Sequence, residues 1–264
     1  MLTLNMIKKS LIMSKIIILP ENVKNMIAAG EVVAGPYSVI KELVENSIDA
    51  DSSEIEISVF ESGMKKIIVR DNGSGISKDD LPLAIREHAT SKIRDVNDIY
   101  SITSYGFRGE ALASIASIAK LCIMSKEKNS DCGGKLSAEF DSVEFTDYFG
   151  EDGTTVIVEN LFYNTPARKK FLKSLQSEKK LIRETIYSLA LSRPEISFRY
   201  SFDGTAPSVI SKTSDEKSRI SDLYDYSMLL EGEICDVDVS VKAFISKPSA
   251  FKKTRSDQYL FVNR

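Results

Sequence analysis

The residues best suited to chemistry lie in the segment from Lys41 to Ala50. Glu42, Asn46 and Asp49 recur at spacings of four and three residues, so on a helix they project from one face, and apolar residues between them supply a face to bury. A carboxylate there can act as a base on water, and an amide oxygen is a hard ligand for a magnesium ion. The spacing indicates a site for magnesium and a nucleotide. A solvated polar helix face is the equally frequent alternative.

A second candidate site begins where an apolar run ends at Asp71, two and four residues before Gly73 and Gly75. The apolar run predicts a strand, so the carboxylate would stand at a strand end. A carboxylate in that position can accept a hydrogen bond from the exocyclic amine of adenine, which guanine does not offer there. Glycines let the backbone approach the base. A simple turn is the alternative for Asp-x-Gly-x-Gly taken alone.

A third segment, Gly106 to Gly109, lies just before a run of small residues that begins at Ala111 and predicts a helix. Backbone amides at the amino terminus of a helix, freed by glycines, can hold phosphate oxygens. A glycine turn with a buried Phe107 is the alternative. The spacing is not that of G-x-x-x-x-G-K-[ST], so a P-loop fold is disfavoured.

The chain resembles the GHKL ATPases, because it carries four of their motifs in the same order. These are the Glu-x-x-x-Asn helix, the Asp-x-Gly-x-Gly turn, a glycine lid at residues 106–109 and the Gly-Thr pair at residues 153–154. Within that superfamily, four longer segments look like the MutL mismatch-repair family, namely residues 28–33, 88–93, 106–112 and 161–168. The family commonly has an arginine before the proline that opens the Glu-x-x-x-Asn helix. Gly35 stands there in this chain, a departure that leaves the candidate catalytic helix intact.

The resemblance implies ATP and Mg²⁺ as cofactors. It implies that Glu42 polarises the attacking water, that Asn46 coordinates magnesium, and that Asp71 selects adenine. A solvated surface charge is the alternative for Lys92, and a core strand residue is the alternative for Thr154. The other residues expected at the nucleotide are those that match the family's motifs: Asp49, Gly73, Gly75, Thr90, Ser91, Lys92, Gly106, Phe107, Arg108, Gly109, Glu110, Ala111, Leu112 and Thr154.

The predicted elements favour an α/β sandwich with a mixed, mainly antiparallel sheet and helices on one face, and the resemblance implies that this is the α+β fold of the GHKL type. Strands are predicted at residues 54–60, 65–70, 120–126, 135–140, 142–145 and 154–160, and a helix at residues 81–88. Residues 1–15 are predicted to be a disordered extension or a mis-called start. Residues 16–203 are predicted to form the ATPase domain, and residues 204–264 part of a second, βαβ-type domain with strands at 236–246 and 258–262.

The composition narrows the classes of function. The chain has 264 residues, 42% hydrophobic and 28% charged, which suits one large globular domain plus part of another. A net charge of −3 argues against a uniformly basic coat for nucleic acid. His88 is the only histidine and the cysteines lack C-x-x-C spacing, so zinc fingers, histidine-based nucleophiles and a histidine kinase are disfavoured. No apolar run approaches the ~18 residues that span a bilayer, so we expect a cytoplasmic bacterial protein without membrane contact.

From Arg168 to Arg183 the chain carries seven basic residues and one acid, on a predicted long helix that opens near residue 164. A solvated helix face is the more frequent explanation of such a run. The functional alternative is a weak, sequence-independent contact with DNA phosphates. The candidate DNA-binding residues are Lys169, Lys170, Lys173, Lys179, Lys180 and Arg183.

The leading hypothesis is a slowly hydrolysing ATP switch of DNA mismatch repair, in which the nucleotide orders amino-terminal arms and so promotes homodimerisation. The resemblance implies DNA and a mismatch-recognition protein of the MutS type as partners. A nucleotide-dependent scaffold without turnover is a rival, because the family's lysine that reaches the γ-phosphate is expected beyond residue 264. On that ground we expect a fragment or truncated product with weak turnover. A plain DNA-binding module is the third hypothesis.

Overall fold

The structure is a computed structural model that describes residues 17–20, 29–30, 32–93, 95, 97–98, 104–106, 108–140, 142–237, 239–250 and 257–262. The predicted extension at residues 1–15 and the predicted nucleotide residue Phe107 lie outside these ranges. None of the helices in the described part of the chain is both long and apolar enough to cross a lipid bilayer.

Within the described residues, eight strands form one large sheet and two more form a small one. The strands are β1 Glu54–Phe60, β2 Lys66–Asp71, β3 Lys120–Lys126, β4 Gly133–Glu139, β5 Ser142–Tyr148, β6 Gly153–Glu159, β7 Ser197–Phe202, β8 Ser208–Ile210, β9 Leu229–Cys235 and β10 Ser240–Ser246. The order in the large sheet is β5-β4-β3-β6-β2-β1-β7-β8. Among these described strands, β1 and β7 run parallel and the other neighbours antiparallel, so the predicted mixed sheet is confirmed.

Alternating apolar residues place one face of the large sheet in the core. In β1, Ile55, Ile57 and Val59 are buried, whereas the residues between them point to the opposite face. The same alternation appears in β2, β3 and β6. Helices cover the buried face, because their apolar residues belong to the same core cluster as these strand residues. The predicted layering of helices on one face of the sheet is therefore confirmed.

The helix Pro36–Asp49 carries the Glu-x-x-x-Asn pattern. Pro36 occupies its first turn, and the Ser38 hydroxyl accepts from the Gly35 N–H at 3.1 Å and donates to the Gly35 carbonyl at 2.7 Å, which closes the helix start. Its apolar side packs on β2 and on the long helix near residue 180. The helices are α1 Pro36–Asp49, α2 Ala111–Ile118, α3 Pro166–Lys169, α4 Leu175–Ser192 and α5 Glu216–Leu223.

The prediction of a helix at residues 81–88 is wrong. The structure has a single 3-10 turn at Leu81–Leu83, followed by further turns. Leu81 is buried but Leu83 is 47% exposed, so the segment lacks the continuous apolar stripe of a packed helix. His88 adopts a positive φ of 63°, and its N–H donates to the Gly109 carbonyl at 3.0 Å. This stretch therefore forms part of a loop that contacts the glycine segment.

The single basic helix predicted from residue 164 onward is also wrong. It is divided into α3 and α4, because Ser174 starts a new helix by accepting from the Ser177 N–H at 3.3 Å. Lys169 therefore lies on α3, whereas Lys170 and Lys173 lie in the connection between the helices. The remaining three candidate DNA-binding residues lie on α4: Lys179, Lys180 and Arg183.

The chain beyond residue 203 departs from the prediction. β8 pairs with β7 in the large sheet, although it lies past the predicted domain boundary, and the division into domains stays a prediction. Of the strand predicted at 236–246, only β10 forms, because Asp236 N–H donates to the Val239 carbonyl and reverses the chain after β9. The strand predicted at 258–262 is wrong. This segment pairs with neither sheet in the described chain, and its Tyr259 hydroxyl lies 3.0 Å from that of Tyr224.

A buried arginine attaches α5 to the large sheet. The Arg219 side chain is fully buried, and its guanidinium donates to the carbonyls of Pro194 and Ile196 at 2.7 Å each. It also lies 5.9 Å from the centre of the Phe198 ring on β7. These contacts join the segment after β8 to the end of α4 and to the start of β7.

Candidate active site

A cavity of about 840 Å³ opens beside α1 and is bounded by residues of β2 and β6 and by residues 87–92, 105–106 and 108–112. It brings together residues that the sequence separates by more than a hundred positions. Gly73 does not line it. The predicted residues in its wall are Glu42, Asn46, Asp49, Asp71, Gly75, Thr90, Ser91, Lys92, Gly106, Arg108, Gly109, Glu110, Ala111, Leu112 and Thr154.

Asp71 stands at the end of β2 with 6% of its surface exposed. Its Oδ2 accepts a hydrogen bond from the Ser47 hydroxyl at 2.8 Å, and its Oδ1 accepts from the N–H groups of Gly73 at 2.9 Å and Thr154 at 3.3 Å. Burial raises the pKa of this carboxyl, and the hydrogen bonds oppose that rise. Gly73 therefore does not line the cavity, but its N–H helps to hold the Asp71 carboxylate in one orientation.

Sequence reasoning missed two hydroxyl residues, Ser47 and Ser125. Ser47 lies within the apolar stripe of α1, and Ser125 occupies an inward-facing position of β3. The Ser125 Oγ accepts from the Ile76 N–H at 2.8 Å and lies 2.8 Å from the Thr154 Oγ1. A polar residue at a position where the period predicts an apolar one is the signal that would have found both. Ser47 thus connects Asp71 to α1, and Ser125 on β3 connects the turn at Ile76 to Thr154 on β6.

Two glycines of the cavity wall occupy positions that other residues rarely adopt. Gly75 has φ +77°, and a Cβ added there would lie 2.3 Å from the Lys126 carbonyl oxygen. Gly109 has φ +63°, and its added Cβ would lie 2.4 Å from the Ala89 carbonyl oxygen. Glycine is therefore required where the Asp-x-Gly-x-Gly turn meets β3 and where the two loop segments of the cavity meet.

Asp49 joins α1 to both loop segments. Its Oδ1 accepts from the Tyr105 N–H at 2.9 Å, and its Oδ2 accepts from the Gly106 N–H at 3.2 Å. The Lys92 Nζ donates to the same Oδ2 at 2.6 Å and to the Asn46 Oδ1 at 2.9 Å. The predicted residues Asn46, Asp49 and Lys92 therefore form one connected polar cluster.

Glu42 is the candidate base and keeps access to the cavity, since 26% of its side chain is exposed. The Lys41 Nζ lies 3.7 Å from its Oε1 and 3.0 Å from the Glu45 carboxylate, which is nearly buried. Burial raises the pKa of Glu45, and the hydrogen bond and charge of Lys41 oppose that rise. One ammonium thus lies between two carboxylates at the edge of the cavity.

The oxygen atoms at this site fit a magnesium ion. Among the described residues, no three acidic, histidine or cysteine side chains converge as they would in a protein-only metal cage. Magnesium instead commonly combines one or two protein oxygens with waters and substrate phosphates. The Asn46 amide oxygen already accepts from the Lys92 ammonium, so this oxygen attracts a cation. Asn46 could therefore hold a magnesium ion, and Glu42 lies in the same cavity wall.

The candidate DNA-binding residues lie outside the cavity. Lys169, Lys170, Lys173, Lys180 and Arg183 are exposed, whereas Lys179 is half-buried. Two of the six contact carboxylates, because Lys179 pairs with Asp203 at 2.6 Å and Lys180 with Glu184 at 3.6 Å. The surface is therefore basic but partly neutralised by its own neighbours.

Comparisons with known proteins agree with this fold and this cavity. Residues 35–149 match the family described as histidine kinase-, DNA gyrase B-, and HSP90-like ATPase. The solved MutL ATPase domain of Aquifex aeolicus complexed with ADP is 28% identical, with a TM-score of 0.67 over 82% of this chain and 78% of that chain. The N-terminal domain of a DNA repair protein is 27% identical, with a TM-score of 0.71 over 89% and 74%. The chain thus contains a GHKL-type ATPase domain.

The relatives in sequence narrow the family further. DNA mismatch repair protein MutL of Streptococcus uberis is 45% identical over 255 residues, which is 95% of this chain. The MutL of Streptococcus pyogenes serotype M5 is 44% identical over the same length. The chain spans 39% of the length of each of these relatives. It belongs to the MutL family and corresponds to the ATPase region of those proteins, and the predicted resemblance is confirmed.

Proposed function

We propose that this chain binds ATP with Mg²⁺ in the cavity beside α1, hydrolyses it slowly, and acts as a nucleotide-controlled switch in DNA mismatch repair. The observation that carries the proposal is the buried Asp71 carboxylate, which Ser47 and two backbone amides hold in the same cavity as Glu42 and Asn46. Membership of the MutL family and the ADP complex of the Aquifex aeolicus relative support it.

Asp71 would select adenine. Each carboxylate oxygen has two lone pairs, so Asp71 can accept from an exocyclic amine in addition to its present donors. Gly75 lets the turn after Asp71 pack against β3, because any side chain at this position would collide with the Lys126 backbone. Thr154 and the hydroxyl of Ser125 complete a polar wall that is already hydrogen-bonded internally. Guanine lacks the amine at the required position and would leave the buried carboxylate without its ligand partner.

Glu42 would take a proton from the attacking water, since it is the exposed carboxylate of α1 in this cavity. Asn46 would hold magnesium, which neutralises charge on the phosphate oxygens when bound. Phosphates would bind the amides at the amino terminus of α2, which begins at Ala111. The remaining contacts to the nucleotide would come from Leu112 of α2 and from the residues that match the family's motifs before it: Thr90, Ser91, Lys92, Gly106, Phe107, Arg108, Gly109 and Glu110.

The switch would operate through the loops that Asp49 ties to α1. Nucleotide binding would rearrange these loops and order the amino-terminal arm, which would allow two copies to form a homodimer. A mismatch-recognition protein of the MutS type and DNA would be the partners of this state. The support is the family itself, whose Streptococcus members are DNA mismatch repair proteins. The DNA contact would be weak and independent of base sequence, because lysines and arginines contact phosphates.

Nucleotide titrations test the proposal. The unmodified chain should bind ATP with magnesium more tightly than GTP, and Asp71→Asn should weaken ATP binding sharply. Asp147→Asn is the control, because Asp147 is an exposed aspartate that pairs with Lys78 and does not line the cavity. Equal affinities for ATP and GTP in the unmodified chain would contradict the assignment of the base pocket. Binding without phosphate release would favour the scaffold hypothesis over a slow ATPase.

A further inference from the structure

The Lys92 ammonium rests on the side-chain oxygens that the proposed magnesium site needs. It lies 2.6 Å from the Asp49 Oδ2 and 2.9 Å from the Asn46 Oδ1. The Asp49 side chain is 6% exposed and the Lys92 side chain 23% exposed, so water screens this pair less than a surface pair. The cluster is therefore a partly buried cation seated on an amide and a carboxylate.

Backbone of the glycine segment covers this cluster. A Cβ added to Gly106 would lie 3.3 Å from the Lys92 Nζ and 3.7 Å from the Asn46 Oδ1, so the peptide there is in close contact with both groups. The N–H groups of Tyr105 and Gly106 donate to the same Asp49 carboxylate that binds Lys92. One carboxylate on α1 thus holds residue 92 and residues 105–106 together.

This arrangement opposes entry of a free divalent cation. A metal approaching Asn46 would find its oxygen already accepting from an ammonium, and it would meet the positive charge of that ammonium at short range. A metal that arrives bound to a triphosphate brings new acceptors for the Lys92 ammonium. The phosphates offer Lys92 a stronger set of acceptors than Asn46 and Asp49, so the ammonium can leave as the metal enters.

We propose that Lys92 is an internal counter-ion that occupies the Asn46–Asp49 pair until a nucleotide arrives, so that magnesium binds only together with the triphosphate. When Lys92 leaves, Asp49 keeps the hydrogen bonds from the N–H groups of Tyr105 and Gly106. The nucleotide half of this inference rests on the proposed function, whereas the exclusion of free metal depends only on the contacts of Lys92.

Manganese binding without nucleotide tests the exclusion. Mn²⁺ replaces magnesium and is counted by the loss of its free electron paramagnetic resonance signal. Lys92→Met should bind one Mn²⁺ at least about tenfold more tightly than the unmodified chain, because it removes a positive charge next to the ligand oxygen. Lys78→Met is the matched control. It also breaks a short ion pair, 2.7 Å to Asp147, but outside the cavity, and it should behave like the unmodified chain.

Three further variants test whether Mn²⁺ binding depends on the charge of Lys92 and on the Asn46 oxygen. Lys92→Arg keeps the charge and should keep Mn²⁺ out, whereas Asn46→Ala combined with Lys92→Met should lose the site that Lys92→Met gains. Lys92→Gln serves as a second neutral variant if Lys92→Met does not fold, as judged by circular dichroism. Equal Mn²⁺ affinity in the unmodified chain and the neutral variants would overturn the proposal, and so would a gained site that survives loss of Asn46.

A separate arm distinguishes this proposal from the proposed function. The unmodified chain is titrated with ATP in the presence of Mn²⁺. If no ATP binds, the proposed function fails, while the comparison of Mn²⁺ binding without nucleotide still decides whether Lys92 excludes the metal. If ATP binds and Mn²⁺ alone binds equally well to the unmodified chain, the proposed function stands and the role of Lys92 is refuted.

Discussion

Ser47→Ala is the substitution whose effect follows most directly from the geometry of the site. The Ser47 hydroxyl has one hydrogen and two acceptors in reach, the Asp71 Oδ2 at 2.8 Å and the Leu43 carbonyl at 3.2 Å. The shorter contact is with the carboxylate, and both partners are buried. Loss of a hydrogen bond to a charged buried group costs about 1.5–3 kcal/mol, so we expect the free energy of unfolding to fall by that amount.

The same substitution changes the pH dependence of nucleotide binding. Burial already raises the pKa of Asp71, and the hydrogen bond from Ser47 is one of the contacts that limit the rise. Without Ser47 the pKa should rise further. Adenine requires the ionised carboxylate as acceptor, so ATP affinity should fall as the pH drops through the pKa of Asp71, and this fall should begin at a higher pH in Ser47→Ala. The stability contribution has the opposite sign. An acid whose pKa is raised by folding stabilises the fold below its unfolded pKa and loses that contribution as the pH rises through the folded pKa.

The assays are urea unfolding of the nucleotide-free chain and ATP titrations from mildly acidic to neutral pH. Ser117→Ala is the matched control, because the Ser117 hydroxyl donates to a helix carbonyl, that of Ser114, at 2.8 Å. It should leave the pH dependence of ATP binding unchanged. Unaltered unfolding together with an unaltered pH midpoint in Ser47→Ala would refute the assignment of Ser47 as the residue that fixes Asp71.

Three other predictions concern the cavity and the basic surface. Glu42→Ala should keep ATP binding, measured by calorimetry, and lose about 10² to 10⁴-fold in turnover, measured by phosphate release. Asn46→Ala should instead lose nucleotide binding. If both variants bind and hydrolyse ATP like the unmodified chain, this helix face is only a solvated surface. Gly75→Ala should lower the free energy of unfolding by at least about 1–3 kcal/mol, because alanine is strained at positive φ and collides with β3, and wild-type stability in urea would contradict that. Retention on DNA should fall with salt, with a log–log slope of about −0.9 per phosphate contacted. Replacing Lys169, Lys170 and Lys173 by glutamate should abolish retention without changing ATP affinity. Unchanged retention would place the DNA surface away from these three lysines.

The sequence predicted those parts of the site that depend on local periodicity. Helical spacing was sufficient to place Glu42, Asn46 and Asp49 on one side of α1, and the apolar run before Asp71 was sufficient to place that carboxylate at a strand end. Ser125 was missed because its partner Thr154 lies on β6, nearly thirty residues away, and a polar residue at an inward-facing position of β3 does not by itself identify that partner.

The wrong predictions also have local causes. The basic run was predicted to lie on one long helix, but the Ser174 hydroxyl accepts from the Ser177 N–H, which starts a second helix and divides the run. At residues 81–88 a few apolar residues imitated a helical stripe, although Leu83 is exposed and the chain turns toward Gly109 instead. Pairwise contacts between distant segments, such as that of Lys92 with Asp49, have no trace in the spacing of either residue.

The attachment of β8 and α5 to the large sheet affects how a shorter version of this chain should be cut for crystallisation or ligand screening. Ending at residue 203 would remove β8, turn β7 into an unprotected sheet edge, and withdraw Arg219 from the carbonyls of Pro194 and Ile196. Ending after Leu223 keeps the strand, the arginine and the cover over Phe198. The later cut leaves out the exposed β9–β10 hairpin and is the end point at which we expect soluble expression and nucleotide binding to survive.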